Sequence, residues 1–277
     1  MPENIPAPGR VLVLMYHGLH ANPDERGHFD PRYSVKPGMF RAQLECLREF
    51  NLAYWLPVAG EALCAIERPN NGYDRGSDYC NPVLITFDDG DASLIDTALP
   101  ILEDLRLGAV FFVTRDFVGK PGMINHRALR RISRAGMVIG SHGVSHRFLN
   151  TLSRPELEIE LTHSREFLEQ VTGREVVLLS LPGGRGGKRE IEMAGAAGYR
   201  SVFGSAPGNN QNTPAGSLIE RVAITREVGL DQFRQILRWR GLASWRVRAR
   251  HHALGLPKRM FGDRGYDWLR NTWVRQP

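Results

Sequence analysis

Short, continuously apolar runs recur along the chain with helix-length patterns between them, and this alternation constrains the fold more than any other feature. The runs fall at Val11–Met15, Val83–Phe87, Ala109–Val113, Met137–Gly140, Val176–Ser180, Tyr199–Phe203 and Ile219–Ile224. Unbroken apolar character means burial on both faces, as in a parallel sheet; a sheet wetted on one side would alternate. Helical patterns are read at Pro37–Phe50, Ile95–Leu107, Arg127–Ala135, Pro155–Thr172, Arg189–Ala197 and Asp231–Trp239. The fourth is delimited at both ends. Ser153 and Glu156 have capping-box spacing, Leu152 and Leu157 can form the hydrophobic staple, and Gly173 sits where a helix would stop. Leu157, Leu161, Leu168 and Val171 then repeat on one face. Seven strands alternating with helices predict a parallel α/β architecture, a barrel or a doubly wound sheet, with functional groups just beyond the carboxyl ends of the strands.

The chain has 277 residues, 42% of them hydrophobic, enough for one large core. Its mean hydropathy is −0.31, and its longest apolar runs are strand-sized, far short of the ~20 residues of a membrane span. The polar, proline-broken start MPENIPAPGR does not read as a secretory signal. Cys46, Cys64 and Cys80 are odd in number and form no close metal-like pair, so reduced thiols in a cytoplasmic protein are expected. Charge is unevenly spread. Residues 234–277 carry eleven Lys/Arg against Asp263 and Asp267, while the rest of the chain is slightly acidic. Four of the five tryptophans (Trp239, Trp245, Trp268, Trp273) also lie in that tail. The expected division is therefore a main domain at 1–233 and a basic C-terminal extension at 234–277. Two polar stretches, Pro69–Asn81 and Ser205–Gly216, interrupt the strand–helix pattern.

Two strands end in chemistry. The run at Val83–Phe87 leads into Asp88-Asp89-Gly90, and the run at Met137–Gly140 into Ser141-His142-Gly143-Val144-Ser145-His146. His142 and His146, spaced i, i+4, place two imidazoles on one side of a turn, and Asp88 or Asp89 can add an oxygen. Two His and one carboxylate leave coordination positions open, as in catalytic sites. A divalent ion lowers the pKa of bound water from about 15.7 toward about 7, and a second carboxylate beside it can take the proton. Adjacent side chains at a strand end point in different directions, so one Asp can ligate while its neighbour faces the nucleophile. Each motif alone would be an ordinary turn or surface loop. Both at strand ends of one α/β domain favour a metal site.

These residues resemble the polysaccharide deacetylases (carbohydrate esterase family 4, the chitooligosaccharide deacetylase homology domain). TFDDG at 86–90 is similar to the family's first motif, and SHGVSH with Arg147-Phe148-Leu149 to its second. The likeness extends to LMYHG at 14–18, YSVKPGMFRAQLECL at 33–47, AVFFV at 109–113 and GYRSVFGS at 198–205, covering roughly Val11 to Phe233. The resemblance implies a distorted (β/α)7 barrel that removes N- or O-acetyl groups from sugars. It implies Asp88 as catalytic base, and Asp89, His142 and His146 as ligands of a divalent metal, zinc first, with cobalt or nickel as alternatives.

The chain departs from the family in three places. The third motif usually begins with an arginine that holds the base; LSLPGGR at 179–185 has Ser180 or Leu181 there, and Arg185 or Arg221 would have to restore the charge from another direction. Pro182, Gly183, Arg185 and Arg221 are the candidate substrate contacts. The Asp-Trp pair of the fourth motif is absent from SAPGNNQNTPAG, and the last run, IERVAI, lacks the histidine that serves many members as general acid. His17 follows the first strand, which a closed barrel brings beside the last. It is either a replacement acid in the mouth or a structural histidine bonded to a neighbouring loop.

The expected function is metal-dependent deacetylation of an N-acetylated saccharide, whether polysaccharide, oligosaccharide or lipid-linked sugar. The alternative is a glycan-binding pseudoenzyme of the same fold. The ligand types alone would also suit an iron oxygenase, which leaves the second aspartate unexplained. The tryptophans and arginines of 234–277 suggest docking on an anionic membrane surface at the inner face. No specific nucleic-acid partner is expected.

Overall fold

The computed structural model describes residues 11–49, 83–208, 210 and 218–238. Cys64, Cys80, the stretch Pro69–Asn81, most of the second polar stretch and the tail from Trp239 onward lie outside the described residues, and the membrane-docking expectation with them. Among the described residues no helix is long and apolar enough to cross a membrane.

The strands of the main sheet are β1 (Leu12–Tyr16), β4 (Val83–Phe87), β5 (Val110–Val113), β6 (Val138–Ser141), β7 (Leu178–Ser180), β8 (Ser201–Phe203), β9 (Leu218–Ile219) and β10 (Val222–Ala223). They run in the order β10-β1-β4-β5-β6-β7-β8-β9, every pair parallel. A small separate pair, β2 (Gly18–Leu19) and β3 (Ser34–Val35), frames the loop after β1. The two edge strands are joined in sequence by only Glu220 and Arg221, so the sheet curls until its edges meet as a distorted barrel. The single strand expected at Ile219–Ile224 is thus broken in two. Asn210 accounts for the break: its amide bonds both the N–H and the carbonyl of Glu220, and the Arg221 N–H turns away to the Ala206 carbonyl. Counted as one interrupted strand, β9 and β10 complete a barrel of seven.

Helices α1 (Pro37–Glu49), α2 (Leu99–Leu105), α3 (His126–Arg134), α4 (Arg154–Thr172), α5 (Lys188–Ala196) and α6 (Leu230–Arg238) match the predicted set within a few residues. The α4 capping box of Ser153 and Glu156 is present, and Gly173 ends the helix in the left-handed conformation. The helix expected at Ile95–Leu107 differs. Its first turn, Leu94–Ala98, is a π turn, ahead of Pro100, which has no N–H to give, and Arg106 at φ 55° stops it early. Helix α6 crosses the expected boundary at 233/234, with Phe233, Ile236 and Leu237 all in the core.

Strand alternation sorts the core into two layers. Leu12, Leu14 and Tyr16 of β1, Ile85 and Phe87 of β4, and Phe111 and Val113 of β5 pack outward against the helices. Val13, Leu84, Val110, Phe112, Leu178, Phe203 and Ile219 fill the inside. Gly140 belongs to the inward row of β6. A Cβ there would lie 2.5 Å from the Phe112 ring, so the missing side chain is what lets that ring pack inside. The inward rows then continue past the carboxyl ends of the strands, and there they become polar.

Candidate active site

The row Leu84, Thr86 on β4 ends in Asp88, the row on β7 ends in Ser180, and the break between β9 and β10 places Arg221 opposite both. Arg221 is fully buried above the rings of Phe112 and Phe203. Its two terminal nitrogens donate to the two carboxylate oxygens of Asp88, each at 2.7 Å. Its remaining donors reach Ser180 Oγ, Thr86 Oγ1 and the Gly204 carbonyl. Ser180 Oγ donates to Asp88 Oδ2 at 3.2 Å. Burial would raise the pKa of Asp88, but the Arg221 guanidinium and the nearby imidazole of His142 outweigh it and hold the carboxyl well below the usual range. A carboxylate has about four acceptor positions. Three are taken here, and the one left free is on Oδ1.

Asp89 points the other way because its backbone is left-handed, φ 73°. His146 is left-handed too, φ 63°. Such conformations cost a non-glycine residue of order 1–3 kcal/mol, and they concentrate at functional sites. One ligand atom from each of Asp89, His142 and His146 lies within 4.8 Å of the others. His142 Nε2 is 3.4 Å, and His146 Nε2 3.1 Å, from Asp89 Oδ1. Burial brings the pKa of His142 down to about 4 against the pull of Asp88, so the ring is neutral near pH 7. Burial also acts to lower His146, but its contact with Asp89 prevails and raises it. Asp89 would be raised by burial and is lowered instead by His146.

The donor set fits a divalent cation. His142 Nδ1 lies 2.8 Å from the Ser180 carbonyl, which can only accept, so Nδ1 carries the proton. Nε2 of the neutral ring is then a lone pair aimed at the Asp89 carboxylate. Asp89 Oδ1 is buried with no hydrogen bond, since His146 Nε2 touches it outside hydrogen-bond geometry. A lone pair facing a carboxylate oxygen is repulsive until a cation sits between them. The Ser180 carbonyl is the kind of outer partner that fixes the tautomer of a metal-ligating histidine.

Glu160, which sequence reasoning missed, holds the histidine loop. Its carboxylate, buried on α4, accepts from the N–H groups of Val144 (2.6 Å) and Ser145 (3.0 Å) and from the Ser145 hydroxyl. Gly143 leaves it room, as a Cβ there would stand 3.0 Å from Glu160 Oε2. The available signal was a charge set beside the Leu157–Leu161–Leu168 stripe, where burial demands a partner. The role of Ser180 was likewise not legible, because a hydroxyl at a strand end has no distinctive pattern.

His17 stands in the mouth, stacked on Tyr33 with ring centroids 4.5 Å apart. Its Nδ1 is buried with no hydrogen-bond partner, and the ring lies close enough to help lower the pKa of both Asp88 and Asp89. Two of the expected substrate contacts need correction. Arg221 is fully buried and spent on Asp88, and Pro182 is buried at the start of a short turn, Pro182–Gly184. Neither offers a side chain to a saccharide. Gly183 and Arg185 remain at the surface, Arg185 over the Phe148 ring at 4.4 Å. Of the two arginines considered for holding Asp88, Arg221 is the one in contact with it.

Residues 75–202 match the polysaccharide deacetylase family. The Bacillus subtilis protein YxkH is 22% identical over 218 residues, 79% of this chain and 72% of its own. Over residues 75–202 the chain is thus similar to the polysaccharide deacetylases. The peptidoglycan-N-acetylmuramic acid deacetylase PdaA of Bacillus subtilis is 28% identical over 152 residues, 54% of this chain and 56% of its own length. Among solved structures, the polysaccharide deacetylase BC0361 from Bacillus cereus superimposes with a TM-score of 0.69 at 24% identity, covering 82% of this chain and 69% of its own, a likeness of fold.

Proposed function

We propose that this chain is a metal-dependent deacetylase that hydrolyses the acetyl amide of an N-acetylated saccharide. One observation carries the reading: two adjacent aspartates face different partners. Asp88 faces Arg221 inside the barrel, and Asp89 meets His142 and His146 in a left-handed turn. Asp89, His142 and His146 would hold the ion, with zinc the first choice for two imidazoles and a carboxylate. Such an ion lowers the pKa of coordinated water and polarises a carbonyl oxygen. Asp88, held ionised by Arg221, has its free acceptor position on Oδ1 to take a proton from the attacking water. Arg221 and Ser180 fix the plane of that carboxylate. His17, whose buried Nδ1 lacks a partner, would return a proton to the departing sugar nitrogen. Burial of the cluster keeps these interactions in low dielectric, where they are strong.

Similarity to polysaccharide deacetylases supports sugar deacetylation, and the amide preference extends what the name of PdaA describes for that protein. The test is acetate release from N-acetylglucosamine oligomers and lipid-linked sugars, with added Zn²⁺, Co²⁺ or Ni²⁺ and with chelator. Chelator-sensitive release is expected. Absence of acetate with every substrate and metal would replace the enzyme with a glycan-binding protein of the same fold.

A further inference from the structure

Helix α3 carries a charge pattern that works against its own stability. Arg127, Arg130, Arg131 and Arg134 stand at i, i+3, i+4 and i+7, and all four are exposed. This spacing places like charges beside one another, which destabilises a helix. The sequence His126–Arg134 contains no acidic residue, and none sits in the first turn, where the helix dipole favours one. Only Arg131 is neutralised, by both carboxylate oxygens of Glu103 at 2.9 Å. Arg127, Arg130 and Arg134 make no ion pair with any described residue. Neighbouring α4 mixes both signs along its length, so the bias is particular to α3.

The row leads to a hollow. At the amino end of α3 a depression of about 370 Å³ is lined by Arg115, Asp116, Val118, Lys120, His126 and Phe167. That volume lies within the range of about 300–1,000 Å³ typical of small-ligand sites. Arg115 stands 5.6 Å from the Phe167 ring, and the His126 ring meets its edge at 5.4 Å. The hollow adjoins the candidate active site through its own backbone: the Arg115 and Asp116 N–H groups bond the carbonyls of Gly143 and Val144, inside the histidine loop. The next residue, Phe117, packs its ring 5.6 Å from that of His146.

We propose that this face binds an acidic saccharide strand, with carboxylate or phosphate groups on Arg127, Arg130 and Arg134 and a sugar unit in the hollow. A strand so placed enters the barrel mouth from the α3 side. The choice of a saccharide rests on the deacetylase reading, on the size and aromatic wall of the hollow, and on its contact with the histidine loop. A membrane fits less well, because the described residues expose a single large hydrophobic strongly, Ile159 on α4, too little apolar surface to insert into a bilayer.

The test uses the full-length chain, so that cations elsewhere are common to all variants. Dissociation constants are measured by affinity electrophoresis for polygalacturonate, with amylose as neutral control, and by sedimentation or gel shift for anionic phosphatidylglycerol vesicles and a short DNA duplex. The variants are R127Q/R130Q/R134Q and, at the hollow, R115Q/K120Q. Thermal midpoints establish that each is folded, and the triple variant should melt at or above the parent because like charges are removed. We expect the polygalacturonate dissociation constant to rise at least tenfold in the triple variant and at least threefold in the hollow variant, with amylose not retained by any form. Equal binding of polygalacturonate by parent and triple variant overturns the proposal. So does an equal loss toward DNA or vesicles, which would make α3 a general polyanion patch. Because binding is read without turnover, a protein that releases no acetate but shows these losses defeats the deacetylase reading alone.

Discussion

Replacing Arg221 with Met separates the barrel's internal ion pair from its surroundings. Met keeps much of the volume above Phe112 and Phe203 but removes every donor to Asp88. What is lost is two 2.7 Å charge-assisted bonds in a site where Arg221 is 0% and the Asp88 side chain 4% exposed. Removing one member of a buried pair costs about 3–5 kcal/mol, because the other charge is stranded. With a urea m-value of about 3 kcal/mol/M, the unfolding midpoint should fall by roughly 1–2 M at pH 7.

The pH dependence gives the sharper reading. In the parent, the folded pKa of Asp88 is depressed, so its stabilisation is fully present above the unfolded value of about 3.9 and constant between pH 5 and 8. In the variant, burial acts without Arg221 and raises the folded pKa above the unfolded one. The folded state then takes up a proton that the unfolded state does not, and part of the cost is recovered as pH falls. The deficit against the parent should be largest at pH 8 and smallest at pH 5, measured by urea titration followed by circular dichroism at each pH. A midpoint unchanged by the substitution, or a deficit that grows toward pH 5, would refute the assignment of Arg221 to Asp88.

Two further substitutions probe the rest of the mouth. Glu160→Gln should weaken zinc binding by about 10–100-fold, as loss of outer-shell support does, with calorimetric titration as the measure; an unchanged zinc affinity would mean that the histidine loop holds itself. His17→Ala should lower turnover by about 10²–10⁴-fold with metal content intact. Activity within a few-fold of the parent would leave His17 as the stacking partner of Tyr33 and no more.

The parts of this fold that were legible in the sequence are those fixed by local rules. Val83–Phe87 is the strand its apolar run predicted, and α4 begins and ends where Ser153, Glu156 and Gly173 place its caps. Asp88, Asp89, His142 and His146 lie just past strand ends, where a parallel barrel puts its chemistry. What was not legible depends on partners distant in sequence. Nothing near Arg221 shows that it, rather than Arg185, will reach a carboxylate 133 residues away. Glu160 looks like one more charge on a charged helix until the fold lays residues 144–145 across it. The apolar run at Ile219–Ile224 suggested one strand because its pattern carries no trace of the Asn210 bridge that divides it.

The division of labour between the two aspartates is tested most directly by metal analysis of purified protein. The parent and the Asp88→Asn variant should each retain one equivalent of divalent metal, with turnover lost only in the variant, since an amide cannot accept the proton. His142→Ala should lose the metal, because two remaining protein ligands hold zinc poorly. A full equivalent bound to His142→Ala, or none in Asp88→Asn, would falsify the account.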